Sequence, residues 1–159
     1  MTHWPHDDMA SKCAFYGDFR IKTWASVYLT RIKPPFEMRY EGKPLPSGIL
    51  VNKNCADAML KAFAQIWSAC GEDQAEVDKS GASDYGGCFN VRPIAGSNNY
   101  SNHSWAAAID LSPSTNGFRY DGSTTLSSVV ISAFKAQGAL WGGDYHGRKD
   151  PMHFEFVSR

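Results

Sequence analysis

Residues 142–156 read GGDYHGRKDPMHFEF, and their pattern decides how the chain folds. From Met152 onward the residues alternate Met-His-Phe-Glu-Phe. That is the period of two expected of a strand, with His153 and Glu155 on one face and Met152, Phe154 and Phe156 on the other. A strand over residues 151–157 therefore aims a His and a Glu inward or across a site, where a buried charge needs a partner, a proton or a metal. Pro151 lacks a donor and turns its predecessor away from helix, so Asp150 sits on a turn leading into this strand.

A second set of ligands lies upstream. The polar loop GSNNYSNHS (residues 96–104) ends beside His103, and WAAAIDL (residues 105–111) reads as a strand. In that strand Ala108 and Asp110 share one side, and Ala107, Ile109 and Leu111 the other. His103 and Asp110 are roughly 23 Å apart along a continuous strand and roughly 10 Å apart along a helix. The chain must turn back between them if both are to meet one ion. Before the loop, GGCFNVRPI (residues 86–94) reads as a further strand, with Asn90 and Arg92 on one face.

The core is supplied by two helices. Asn54–Cys70 carries Met59, Phe63, Ile66 and Cys70 at 4-3-4 spacing, with Asn54 as a start signal and Gly71 after the end. TLSSVVISAFKAQG (residues 125–138) forms the second. The fold class is α+β, a small antiparallel sheet with helices packed against it. The whole of 1–159 reads as a single domain, in which 1–50 form an irregular N-terminal wrap with short strands such as FEMRY, and 51–159 the core that carries these candidate ligands.

Composition narrows the function. Aromatic residues are plentiful and 43% of the chain is hydrophobic, enough to build a core. Sixteen basic residues balance sixteen acidic ones. That argues against nucleic acid as a partner, and no apolar run is long enough for a membrane span. The beginning of the chain does not read as a cleaved export signal. Cys13, Cys55, Cys70 and Cys88 form no C-x-x-C pair, so free thiols are expected. His3, His6, Asp7 and Asp8 look superficially like a metal cluster but are expected to be a mobile end.

Two His and one carboxylate leave a fourth position open, the arrangement of catalytic zinc sites. A nearby acid can accept a proton from the attacking water, and Arg92 can hold a carboxylate or a developing oxyanion. SNHSWAAAID, WGGDY and DPMHFEF together resemble the zinc peptidases that include D-alanyl-D-alanine carboxypeptidases and phage L-alanyl-D-glutamate endopeptidase endolysins. The fold of these enzymes is shared with the signalling domain of Hedgehog proteins. The family pattern S-x-H-x-x-G-x-A-x-D is matched by Ser101, His103, Ala108 and Asp110, and the downstream acid-x-x-H by Asp150 and His153.

The resemblance implies one Zn2+ per chain on His103, Asp110 and His153, with Asp150 as general base and Arg92 and Ser101 binding substrate. It implies a peptidoglycan stem peptide as the substrate, cleaved as an endopeptidase or, alternatively, as a carboxypeptidase. A non-catalytic zinc-stabilised module is the alternative of another class. The chain is expected to act as a monomer, made in a host cytoplasm and released to the periplasm and cell wall. Ala106 stands where the family has Gly. Around the site, Glu155 either orients an imidazole or faces solvent, Trp141 and Tyr145 either line the cleft or pack the core, and His146 either touches substrate or is a solvated loop residue.

Overall fold

The computed structural model describes residues 3–159. The α+β expectation holds: helices pack against small antiparallel sheets. The first fifty residues are more regular than a wrap. They hold α1 (Met9–Tyr16), α2 (Trp24–Tyr28), β1 (Leu29–Ile32) and the hairpin β2 (Arg39–Tyr40) with β3 (Lys43–Pro44). β4 (Ile49–Asn52) pairs antiparallel with β1, from Leu29 opposite Asn52 to Ile32 opposite Ile49. Position 50 thus falls inside a strand, and the N-terminal segment is continuous with the core. Aromatic anchors build it: the Trp24 and Trp105 indoles donate to the carbonyls of Tyr16 and Gly17.

β4 runs directly into α3 (Lys53–Ala69). The cap is Asn52, not Asn54: its side chain accepts from the Asn54 N–H while its amide donates to the Tyr16 and Trp105 carbonyls. Met59, Phe63 and Ile66 are fully buried as their spacing requires. α4 (Gln74–Ser80) follows, a helix the sequence reading did not anticipate, although Asp73 caps it and Gly81 ends it in the left-handed conformation. The second core helix is shorter than expected, α5 (Ser128–Ala136). Phe63 meets Phe134 edge-on at 5.5 Å, and Phe134 stacks on Phe154 at 4.5 Å. Those contacts fasten both helices to the back of the sheet.

That sheet has the order β5-β6-β8-β7, from β5 (Tyr85–Gly87), β6 (Ala108–Leu111), β7 (Leu140–Trp141) and β8 (His153–Glu155). Two expected strands are shorter than their sequence patterns. In residues 86–94 only the beginning is sheet. Past Gly87 the backbone bonds to the His103 turn instead: Asn90 N–H to the His103 carbonyl, Arg92 N–H to Ser104 Oγ, and Ser101 N–H to the Arg92 carbonyl. In residues 105–111 the strand begins only at Ala108, because residues Asn102–Trp105 form a 3-10 turn.

Ala106 ends that turn at φ 52°, ψ 35°, the left-handed region that favours glycine. This is the physical reason for a Gly at the equivalent motif position, and the chain reverses here even with a methyl. The methyl is fully buried, so Ala106→Val adds both a β-branched side chain at positive φ and excess volume. It is expected to destabilise the protein by about 3 kcal/mol, read by urea unfolding. A loss under about 1 kcal/mol would contradict the turn geometry.

Candidate metal centre

Register brings the first two donors together. β6 and β8 pair with Asp110 opposite His153, Ile109 opposite Phe154 and Ala108 opposite Glu155. Residues opposite each other share a face, so Asp110 and His153 point to one side while Ile109 and Phe154 enter the core. The 3-10 turn then folds His103 back over the same face. His103 Nε2 lies 3.3 Å from Asp110 Oδ1 and 3.2 Å from His153 Nδ1, and His153 Nδ1 lies 2.9 Å from Asp110 Oδ1. All three side chains are buried, and one donor atom from each falls within 4.8 Å of the others.

The outer nitrogens of both rings are committed. His103 Nδ1 lies 2.9 Å from the Cys88 carbonyl, which only accepts, so Nδ1 carries the proton and Nε2 is free to ligate. His153 Nε2 lies 3.3 Å from Glu155 Oε2, and Nδ1 turns toward Asp110. Glu155 is 2% exposed and receives the Asn102 amide at 2.6 Å, the Tyr145 hydroxyl at 2.5 Å and the Arg159 guanidinium at 2.6 Å. Of its two readings, the orienting one describes this geometry. Burial alone would raise the Glu155 carboxyl, but the His153, Tyr145 and Arg159 contacts hold it well below the usual range.

Asp110 is treated alike: burial works against its charge, yet its close contacts with His103 and His153, the latter a hydrogen bond from Nδ1, bring it below the usual carboxylate range. For His153 burial favours the neutral ring, but the bonds to Asp110 and Glu155 outweigh it and raise the imidazole from 6.5 to about 10. A buried set of one carboxylate and two imidazoles, each with its second nitrogen fixed by an acceptor, suits a divalent ion such as zinc.

Asp150 occupies the turn before β8. Its carbonyl accepts from His153 N–H at 3.0 Å and its own N–H donates to the Gly142 carbonyl at 3.0 Å. A Cβ on Gly142 would lie 2.2 Å from the Asp150 carbonyl oxygen, so only glycine lets the two backbones close. Asp150 Oδ1 is buried with no hydrogen-bond partner among the described residues. Burial raises its carboxyl, against the opposing pull of His153.

A cleft of about 390 Å³ opens onto the centre, lined by Tyr40, Tyr85, Phe89, Arg92, His103 and Asp110 among others. Arg92 is exposed at its rim. Ser101 is buried, its Oγ capping the 3-10 turn at the His103 N–H. Trp141 is half-buried, its indole donating to the Pro151 carbonyl at 2.8 Å. His146 is exposed and lines a separate depression with Trp141, Tyr145 and Arg159. The N-terminal cluster is not a loose end: Asp7 N–H pairs with the Ser158 carbonyl, and Asp7 binds Lys12 and Arg159. Asn102 and Lys12 went unnoticed in the sequence; Asn102 adjoins His103, but nothing in the pattern points to Lys12.

Residues 95–156 match a family model described as D-alanyl-D-alanine carboxypeptidase. The matched segment contains Ser101, His103, Asp110, Asp150 and His153, and begins after Arg92. No solved structure matches the chain. Among the described residues no helix is long and apolar enough to cross a membrane, and all four cysteines are free thiols.

The raised His153 value gives a signed expectation. In the metal-free protein its stabilising contribution is complete below pH 6.5 and is lost as pH rises toward 10. Asp110 and Glu155 contribute in the opposite sense, above the ordinary carboxylate range, and lose their contribution in acid. A metal held at His153 Nδ1 would displace the proton there, so if zinc binds at these residues its uptake at pH 7.5 is expected to release about one proton per chain, measured by calorimetry in buffers of different ionisation enthalpy. Release of none would contradict ligation by His153.

Proposed function

We propose that the protein is a zinc metallopeptidase that hydrolyses peptidoglycan stem peptides, of the L-alanyl-D-glutamate endopeptidase type. The observation that carries this reading is the convergence of His103, Asp110 and His153 near Asp150, a half-buried acid whose Oδ1 is buried and has no hydrogen-bond partner among the described residues. The family match over residues 95–156 supports a peptidase acting on peptidoglycan.

Zinc held by His103, Asp110 and His153 would polarise the scissile carbonyl as a Lewis acid. The remaining chemistry falls to the chain's own residues. Asp150 Oδ1, with no competing partner, takes a proton from the attacking water and delivers it to the leaving amine. Its carboxyl is raised by burial, which holds the proton long enough for transfer. Arg92 offers a guanidinium at the cleft rim to a substrate carboxylate. Ser101 serves the site by holding the backbone of the His103 turn.

The shape of the cleft favours an endopeptidase. Tyr40, Tyr85 and Gly86 line both the cleft at the centre and a further depression of about 540 Å³ that also includes Asp84, Pro113 and Ser114. A carboxypeptidase closes its cleft around a terminal carboxylate, and the lining shared by these two depressions supports the reading in which the substrate chain continues past the scissile bond. The description of the matched family favours a second reading, removal of a terminal D-Ala with Arg92 on the carboxylate. We further propose that residues 1–159 act as one domain and as a monomer, reaching the wall from a host cytoplasm.

Digestion of purified peptidoglycan, with new termini identified by mass spectrometry, separates the readings. New N-terminal D-Glu is expected. Released D-Ala would move the assignment to carboxypeptidase, and no cleavage by zinc-loaded protein would bring a non-catalytic binding module forward. Asp150→Asn keeps the size of the side chain and is expected to lower kcat by about 10²–10⁴-fold with zinc content unchanged. Full activity in that variant would remove Asp150 as the base.

A further inference from the structure

Lys12 is buried, 5% exposed, which is rare for a lysine without a specific partner. Its Nζ donates to Asp7 Oδ1 at 2.9 Å and to Asn102 Oδ1 at 2.9 Å, and lies 4.4 Å from the centre of the Trp105 ring. It joins α1 to the 3-10 turn that carries His103.

The contacts continue into a closed ring. Asn102 Nδ2 donates to Glu155 Oε2 at 2.6 Å and approaches Asp7 Oδ1 at 3.3 Å. Glu155 Oε1 accepts from Arg159 at 2.6 Å, and Arg159 returns to Asp7 Oδ2 at 3.1 Å. Lys12, Asn102, Glu155, Arg159 and Asp7 thus form a circuit with two positive and two negative charges. The Asn102 amide has one orientation in it, oxygen to Lys12 and nitrogen to Glu155. A flipped amide would set its oxygen against the Glu155 carboxylate and its nitrogen against the ammonium. Glu155 in turn faces His153 Nε2.

We propose that Lys12 is a positioning residue for the metal centre, acting through Asn102 and Glu155 to hold the His153 ring with Nδ1 toward the ion. The proposal rests on the reading of His103, Asp110 and His153 as ligands. α1, far from the centre in sequence, thereby contributes to metal affinity. Residues behind a ligating histidine typically change metal affinity about 10–100-fold when removed; Glu155 is that residue here, and Lys12 stands two links behind it.

The test is zinc affinity by chelator competition, with the visible spectrum of the cobalt-substituted protein, in wild type, Lys12→Met, Glu155→Gln and the double variant. Lys12→Met is expected to bind zinc about 10-fold more weakly with an altered cobalt spectrum. The double variant should bind no more weakly than Glu155→Gln alone, because both act through one path. Asp8→Ala removes the α1 cap at Ser11 without touching the circuit, and should leave affinity within about twofold although α1 is weakened.

Wild-type affinity and spectrum in Lys12→Met would overturn the proposal, as would losses that multiply in the double variant. An equal loss in Asp8→Ala would reduce Lys12 to a fold-stabilising residue. Should Lys12→Met fail to fold, Asp7→Asn breaks the same circuit more gently and is expected to weaken zinc about threefold; an unchanged affinity there sinks the proposal. A wild type that takes up neither zinc nor cobalt removes it together with the metal reading.

Discussion

The pairing of Asp110 with His153 across β6 and β8 is the constraint on which the remaining geometry depends. A slip of one residue in that ladder would set Asp110 and His153 on opposite faces, turning one of them into the core and bringing Ile109 or Phe154 out in its place. The apolar face prevents it: Phe154 stacks on Phe134 and Phe156 lies against Trp4. Core packing thus fixes register, and register fixes two of the three donors. Building a site on a sheet places its atoms more precisely than a loop could.

The third donor depends on a different device. His103 lies on a 3-10 turn that ends in a left-handed alanine, and the turn is fastened from three sides. The Cys88 carbonyl holds its ring, Arg92 and Ser104 exchange bonds behind it, and Asn102 ties it to Glu155. The segment 88–94 is unpaired with the sheet because its backbone serves this turn. That same detour sets Arg92 at the rim of the cleft. A buried network of this kind is costly unless every member is satisfied, and here the donors and acceptors around Glu155 are matched.

Most of the centre was readable from alternation and spacing. Period two placed His153 with Glu155 and Asp110 with Ala108, and Pro151 placed Asp150 on a turn, as found. The N-terminal segment was much less readable. α1 is short, and its importance lies in Lys12, whose partners Asp7 and Asn102 are 5 and 90 residues away. No local pattern encodes a contact of that separation. The strand expected over 86–94 had a sound alternating pattern, but alternation records which side chains are apolar, not where backbone bonds go. The α4 helix had its capping signals, Asp73 and Gly81, and its shortness hid its period. Glu155 was ambiguous because a strand face does not say how deep it lies.

The claim that Asp110, His103 Nε2 and His153 Nδ1 face one ion is open to direct observation. Crystals grown with zinc, with anomalous data collected on both sides of the zinc absorption edge, would locate the ion without assumption. The expected result is one peak per chain about 2 Å from His103 Nε2, an Asp110 oxygen and His153 Nδ1, with His153 Nε2 still on Glu155. A peak on the Glu155 side of the His153 ring, or none at these three residues, would contradict the account.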